Sequence, residues 1–369
     1  MVVHRRPVRR PRRARLAVLG TLTTIAALAS PSAADAVPGP GGGSFLETDL
    51  VSNQPGVAAV TDPNLVNAWG LAESPSSPLW VSDNGTDEST LYSGDVGGSP
   101  VSVAPLRVAI PGGAPTGQVY NDTSGFVLPD GAPARFLFAG EAGTLTAWNP
   151  QLSPVTSALT VATTPDAVYK GLALLHRPGT PWLLSADFHH GRIDVFDTSF
   201  HRVCLRRGSF RDPSIPTGYA PFNVAVLGDR VFVTYARQDA DRVDDVAGPG
   251  HGFVDVFRAD GTLAQRFARR GVLDSPWGLT IAPAMFGRFS HDVLVGNFGD
   301  GLIHAFDPWR GQLLGVLRDQ QGTAIRIDGL WGLLPGNGTA SDASAVWFSA
   351  GPHDEADGLL GTIRSTAGG

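Results

Sequence analysis

Six polar turns carry the residues of this chain whose types suit chemistry. They contain Asp83, Asn84 and Asp87; Glu141; Asp187, His189, His190 and Arg192; Asp239, Asp241, Asp244, Asp245 and His251; Asn297 and Asp300; and His353, Asp354 and Glu355. Carboxylate and amide oxygens are ligands for a hard cation such as Ca²⁺, whereas imidazoles suit a transition metal. Asp and Asn also stabilise ordinary turns by hydrogen-bonding their own backbone, so a purely structural role is the alternative for each turn.

The acidic turn QDADRVDD is the best candidate for a Ca²⁺ site. Repulsion among Asp239, Asp241, Asp244 and Asp245 would be relieved by a bound cation. The turn is not an EF-hand, because it has no central glycine and Gly250 stands where the bidentate glutamate would be. The residues therefore suggest Ca²⁺ or another divalent metal without specifying a known loop.

The turns are positioned by strands that recur along the chain. The clearest copies read FLFAGEAGTLTAWNP, LLSADFHHGRIDVFD and LVGNFGDGLIHAFD, with fainter ones beginning at Leu79, Val231 and Val346. Each copy has an alternating strand, a polar turn and a second alternating strand, which predicts a β-propeller with one four-stranded sheet per repeat. The motifs AWGLA, KGLAL, PWGLTIAP and LWGLLPG mark innermost strands, where glycine permits close packing near the axis. In a propeller built from these repeats, the six polar turns lie on the same face of the ring.

Six copies predict an all-β, six-bladed propeller in which the N-terminal strand completes the last blade. Outer strands follow the first five copies, RVCLRRGSF being that of the third, but no strand follows the sixth. GSFLETDLV, at residues 43–51, is the segment left to supply it, and so closes the ring without an open sheet edge. We expect Cys204, in RVCLRRGSF, to be a buried small hydrophobe.

Residues 1–36 read as a cleavable signal peptide. Seven arginines precede the apolar run LAVLGTLTTIAALA, and Ala34-Asp35-Ala36 is a small-x-small cleavage site. We therefore expect export by the Sec or the twin-arginine route, a flexible lead at residues 37–43 and a propeller at residues 44–365. Removing residues 1–36 takes away 7 of the 28 basic and 1 of the 34 acidic residues, which leaves a net charge of −12. Such a chain is a poor ligand for nucleic acid, and it contains no further apolar run that would serve as a membrane anchor.

Nearly the whole of the predicted propeller resembles a family of secreted, NHL-like bacterial β-propellers. The segments TDPNLVNAWGLA, ADFHHGRIDVFD, TYARQDADRVDDVAGPGHGFVDVF and SAGPHDEADGL carry the resemblance. Some members of that family have a PEP-CTERM sorting tail, which this chain lacks. The resemblance implies the fold and export, and it implies no particular activity.

Three functions follow. The first is a monomeric binding module whose acidic face meets an extracellular small molecule, glycan or protein, since no G-x-S-x-G, H-E-x-x-H or C-x-x-C motif is present. The second is a divalent-metal-dependent hydrolase of the lactonase or esterase kind, by analogy with six-bladed gluconolactonase-like propellers that hold a cation on the axis. That analogy makes Glu141, Asp187, Asn223 and Asn297 candidate ligands and His189 or His353 the candidate base. A lyase or oxidoreductase with a transition metal is the weaker third reading.

Overall fold

A computed structural model describes residues 43–366 and arranges them as six β-sheets in a propeller. In these residues the strands are β1 (Phe45–Ser52), β2 (Val60–Thr61), β3 (Ala68–Ala72), β4 (Leu79–Asp83), β5 (Glu88–Ser93), β6 (Ser102–Val103), β7 (Val108–Ala109), β8 (Pro115–Tyr120), β9 (Phe136–Gly140), β10 (Thr144–Trp148), β11 (Leu159–Thr163), β12 (Tyr169–Leu175), β13 (Trp182–Asp187), β14 (Arg192–Phe196), β15 (Tyr219–Leu227), β16 (Arg230–Arg237), β17 (Gly252–Phe257), β18 (Leu263–Arg269), β19 (Pro276–Ile281), β20 (Val293–Asn297), β21 (Ile303–Phe306), β22 (Leu313–Val316), β23 (Leu330–Pro335), β24 (Val346–Ala350) and β25 (Leu359–Ser365). The predicted signal peptide lies outside the described residues, as does all but the last residue of the predicted lead.

The strand order confirms the six-bladed propeller. Blade one is β3-β4-β5-β6 with β7 also on β5, blade two is β8 to β11, blade three is β12 to β14, blade four is β15 to β18, blade five is β19 to β22, and blade six is β23-β24-β25-β1 with β2 parallel to β1. Helical segments in the described residues are two 3₁₀ turns, Val96–Gly98 and Gly287–Phe289, and one short turn, α1 (Pro352–Glu355). No helix of residues 43–366 has the length and hydropathy needed to cross a bilayer.

The N-terminal strand closes the ring, as the sequence predicts. β1 pairs antiparallel with β25, from Phe45 opposite Ser365 to Ser52 opposite Leu359. The Phe45 ring is buried against blade five, with its centroid 4.9 Å from that of Phe286. The first strand of the described chain is therefore bonded to the last, and the ring is held by backbone pairing and by packing.

Middle strands are buried on both faces because each blade is covered by its two neighbours. All five residues of β9, β10 and β20 are buried, whereas the outer strand β11 has no buried residue. Strands covered on both faces read as continuous apolar runs rather than as strict alternation. Near the axis the inner strands approach so closely that a Cβ on Gly171 would overlap Asn223 of the next blade, which confirms the predicted role of glycine there.

Blade three departs from the prediction, because it has three strands instead of four. After β14, RVCLRRGSF makes a single bridge, between Phe196 and Arg202, and then leaves the sheet as a loop. Cys204 is exposed, so its expected burial is wrong. Val203 and Leu205 are the large apolar residues of this segment between its arginines, and both are partly buried against blades three and four without joining the sheet.

Candidate functional site

The six turns lie on one face, where the inner strands begin. Strand pairing sets this arrangement: Tyr169 at the start of β12 is opposite Asp187 at the end of β13, and Ala68 is likewise opposite Asp83. We call this the tip face. It gathers the turns of all six blades around the mouth of the central channel, as the repeat predicts.

The channel is closed beneath the tip face by a cluster of aromatic rings. Trp69 stacks on Trp331 with centroids 3.6 Å apart, Phe298 covers Trp331 at 3.8 Å, and Trp277 meets both tryptophans edge-on. These tryptophans hold one position in the repeat, immediately before the inner-strand glycine, so ring symmetry brings them together. The result is an apolar plug on the axis, buried from solvent.

Lys170 occupies the same repeat position in blade three and places a buried cation beside the plug. Its side chain is 2% exposed, and its Nζ lies 5.1 Å from the centroid of the Trp69 ring. Nζ donates to the carboxylate of Glu141 and lies 3.5 Å from Oδ1 of Asp244. Burial favours the neutral amine, but the carboxylates of Glu141, Asp244 and Glu355 outweigh it, so the pKa of Lys170 is raised above its ordinary value. The group is therefore an ammonium ion and not an amine nucleophile.

Two asparagines extend this interaction around the axis. Asn67 donates from Nδ2 to Asn84 Oδ1 at 3.1 Å and to Glu355 Oε2 at 2.8 Å, and its own Oδ1 accepts from Trp331 Nε1 at 2.9 Å. Asn84 donates in turn to Glu141 Oε2 at 3.3 Å. We call Asn67, Asn84, Glu141, Lys170, Asp244 and Glu355 the axial network; it joins blades one, two, three, four and six.

The axial network is a buried floor with an acidic rim. Lys170, Asn67 and Asn84 are buried, whereas the Asp244 side chain is half exposed and Glu355 is partly exposed. Within the axial network, three carboxylates, those of Glu141, Asp244 and Glu355, surround one ammonium group. Glu355 reaches this point from α1, in which His353, Asp354 and Glu355 all have left-handed φ angles of 55–66°. Such angles cost about 1 kcal/mol or more per residue outside glycine, so the surrounding contacts hold the turn in place.

The four axis ligands proposed from the sequence have separate partners in the structure. Glu141 pairs with Lys170, and Asp187 accepts from His190 Nδ1 at 2.7 Å. The amide of Asn223 donates to the Trp277 carbonyl at 2.7 Å, and that of Asn297 donates to the Val272 carbonyl at 2.7 Å. Each side-chain amide thus hydrogen-bonds its strand to a neighbouring main-chain segment.

The four aspartates of the acidic turn in blade four also make separate contacts. Oδ1 of Asp239 accepts from the Val243 amide at 2.9 Å, Asp244 points to Lys170, Asp241 is exposed, and Asp245 pairs through its backbone with Gln238. Within residues 43–366, no three His, Cys, Asp or Glu side chains form a group suited to a metal ion. Ca²⁺ or another divalent metal remains a prediction from the sequence.

The two candidate bases lie in different surroundings. His353 pairs through Nδ1 with Asp357 at 2.7 Å and is largely exposed, and this contact lowers the pKa of Asp357. His189 lies beside His190 on the blade-three turn, with ring centroids 5.1 Å apart. Neither histidine belongs to the axial network.

Sequence reasoning missed the central residue of the network, although a signal for it was present. Lys170 is the lone lysine of the chain, and it stands where Trp69, Trp277 and Trp331 stand in other copies. A charged residue in a repeat position that is aromatic in most other copies marks a place where the axis differs in chemistry.

Comparison with known proteins finds close relatives of viral origin. The chain is 36% identical over 326 residues to "Uncharacterized protein R648" of Acanthamoeba polyphaga mimivirus, covering 85% of this chain and 78% of that protein. It is 34% identical over 325 residues to "Uncharacterized protein L690" of the same virus, covering 85% and 84%. No protein-family model matches the chain.

A solved structure supports the fold. A protein of unknown function from Bacteroides thetaiotaomicron aligns over 87% of this chain and 76% of its own, with a TM-score of 0.51 and 12% identity. At that identity the similarity concerns the fold alone.

Proposed function

This chain belongs to the family that includes R648 and L690 of Acanthamoeba polyphaga mimivirus, and we propose that it is a secreted binding module whose tip face takes an extracellular ligand or protein. The observation that carries the proposal is the axial network, in which polar side chains of five blades meet around Lys170. Folds host sites without defining them, so the chemistry of this network decides what is bound.

The network suits a ligand that presents a cationic group. Its rim presents the carboxylates of Asp244 and Glu355, and both residues are in contact with solvent. Acidic rims attract cations and raise their association rate, especially at low salt. A small amine or a peptide with lysine or arginine side chains is the class that this rim would hold.

The position of Lys170 supports binding over metal-dependent hydrolysis. The axial carboxylate of Glu141 already has a cation partner, the ammonium group of Lys170. A metal ion at the same point would be repelled by that ammonium group. The alternative function therefore needs Lys170 to move or lose its proton, and the raised pKa of Lys170 opposes the latter.

Titration with tetralysine by calorimetry, at low and moderate salt, tests the proposal. We expect binding that Asp244→Asn weakens about two- to fivefold, the range for one exposed ion pair. Asp229→Asn is the matched control, because Asp229 is an exposed aspartate of blade four in the turn between β15 and β16, on the opposite face. Equal losses in the two variants would mean unspecific attraction and would refute the site. Stoichiometric divalent metal in the purified protein, lost from Glu141→Gln, would instead favour the hydrolase.

A further inference from the structure

A cleft on the tip face, separate from the axial network, lies between blades three and four. It has a volume of about 450 Å³, within the range of roughly 300–1,000 Å³ typical of small-molecule sites. Its walls are the His189-His190 turn, the segment from Ser209 to Tyr219 and the blade-four turn at Gln238–Arg242. The segment from Ser209 belongs to the connection between β14 and β15, which forms no fourth strand in blade three.

The cleft has a surplus of cations on an otherwise acidic protein. Arg211 and Arg242 are exposed and line it, and within residues 43–366 neither makes an ion pair. Two carboxylates also line it: Asp212 pairs with Arg266 at 2.8 Å and Arg269 at 2.7 Å, and Oδ1 of Asp239 accepts from the Val243 amide at 2.9 Å. Guanidinium groups present forked donors that match the two oxygens of a carboxylate.

An unpartnered hydroxyl group marks the wall of this cleft. Tyr235 lines it and is 4% exposed, yet within residues 43–366 its Oη has no hydrogen-bond partner. Buried polar groups are nearly always bonded, because an unpaired one loses its hydration without compensation. A ligand hydroxyl or carboxylate oxygen placed in the cleft would supply the missing partner.

A buried carboxyl group lies behind Tyr235 in the same blade interface. Asp255 is fully buried, and no hydrogen-bond donor of residues 43–366 meets either of its oxygens. Burial and the neighbouring Asp212 carboxylate raise the pKa of Asp255 to about 7. Tyr235 and Asp255 are therefore a polar pair set into an apolar interface beside the cleft.

We propose that this cleft binds a small hydroxylated carboxylic acid of the sugar-acid class, with its carboxylate on Arg211 and Arg242 and a hydroxyl group on Tyr235. The residues involved are distinct from the axial network, so the site goes beyond the function proposed above and does not depend on it. Arginine forks select the carboxylate, and the Tyr235 hydroxyl group selects a hydroxylated ligand over a plain anion.

Calorimetric titration of the purified chain with D-glucuronate, D-glucose and inorganic phosphate tests the site. We expect glucuronate to bind and glucose to bind about tenfold or more weakly, because glucose lacks the charge that the arginines recognise. A uronate trisaccharide binding more tightly than the monomer would identify polymer ends as the source, and equal affinity would identify the free acid. Absence of glucuronate binding, or equal affinity for phosphate, would overturn the proposal.

Three variants and one control assign the contacts. Arg211→Gln and Arg242→Gln should each weaken glucuronate binding about tenfold. Arg207→Gln should not, since Arg207 is exposed in the same connection but does not line the cleft. Tyr235→Phe should weaken binding several-fold without lowering the melting temperature, because the lost hydroxyl group has no partner in the structure. Equal effects of Arg207→Gln and Arg211→Gln, or full affinity in Tyr235→Phe, would overturn the assignment.

Discussion

Lys170 and Trp69 occupy the same position in blades three and one, and the ammonium group of the first lies 5.1 Å from the ring centroid of the second. The axis therefore contains a cation–π contact in addition to the ion pair between Lys170 and Glu141. Because Lys170 is 2% exposed, the ion pair must offset the cost of burying its charge. The network is consequently sensitive to the loss of either partner.

Replacing Lys170 tests this sensitivity. Lys170→Met should lower the free energy of unfolding by about 3–5 kcal/mol, since it removes one partner of a buried ion pair. The loss should be smaller when Glu141→Leu is present as well, because the ion pair is then removed as a whole. Urea unfolding of the two single variants and the double variant gives the coupling free energy between Lys170 and Glu141. Strictly additive losses would show that the pair contributes no energy of its own.

Stability should fall as pH rises from about 5 to about 7. Burial raises the pKa of Glu47, Glu73 and Asp255 to about 7, from ordinary values of 4.5 for glutamate and 3.8 for aspartate. In this interval the folded protein keeps protons that the unfolded chain has released, so raising the pH favours unfolding. After allowance for solvent screening, each group should contribute on the order of 1 kcal/mol.

Urea unfolding at pH 5 and pH 8, at constant ionic strength, measures this dependence. Glu47→Gln should reduce it, because Glu47 then no longer titrates. Asp212 affects stability in a different pH range. Its arginine pairs and hydrogen bonds hold its pKa below the ordinary 3.8 despite burial, so its contribution to stability is lost only at more acid pH. Higher stability at pH 8 than at pH 5 would contradict the assignment of these carboxyl groups.

The repeat made most of the fold predictable. Apolar strands around polar turns fix a blade locally, and the absence of a strand after the sixth copy identifies the N-terminal segment as its partner. Blade three was misread because Val203 and Leu205 alternate like strand residues. Whether such a short alternation joins a sheet depends on the surface that it buries there, and this is a property of the assembled ring.

The candidate site was predicted less well for a geometric reason. Strand pairing places all six turns on one face, so the location of the site was predictable. Which side chains meet depends on how adjacent blades are rotated, and this rotation directs Glu141 to Lys170 and Asn223 to the main chain of the next blade. Single-sequence patterns carry no information on such contacts between blades.

The correction at Cys204 makes a simple prediction. An exposed thiol in a loop should react with Ellman's reagent in the folded protein, releasing one equivalent per chain without denaturant. Cys204→Ser should abolish the reaction and change the free energy of unfolding by less than about 0.5 kcal/mol, as for other surface substitutions. A thiol that reacts only after unfolding would restore the original expectation that Cys204 is buried.

Closure of the ring can be tested on two neighbouring residues of β1. Phe45 is 1% exposed and stacks within 5.8 Å of Phe289, whereas Leu46 is 54% exposed. Phe45→Ala should lower the free energy of unfolding by about 3–5 kcal/mol, through lost burial and the cavity left between blades six and five. Leu46→Ala, the matched control, should cost less than about 0.5 kcal/mol. Denaturant unfolding measures both, and similar small losses would mean that β1 adds little to the closure. The larger loss is expected at Phe45 because its ring packs against blade five. The strands of that blade belong to a different sheet from β1.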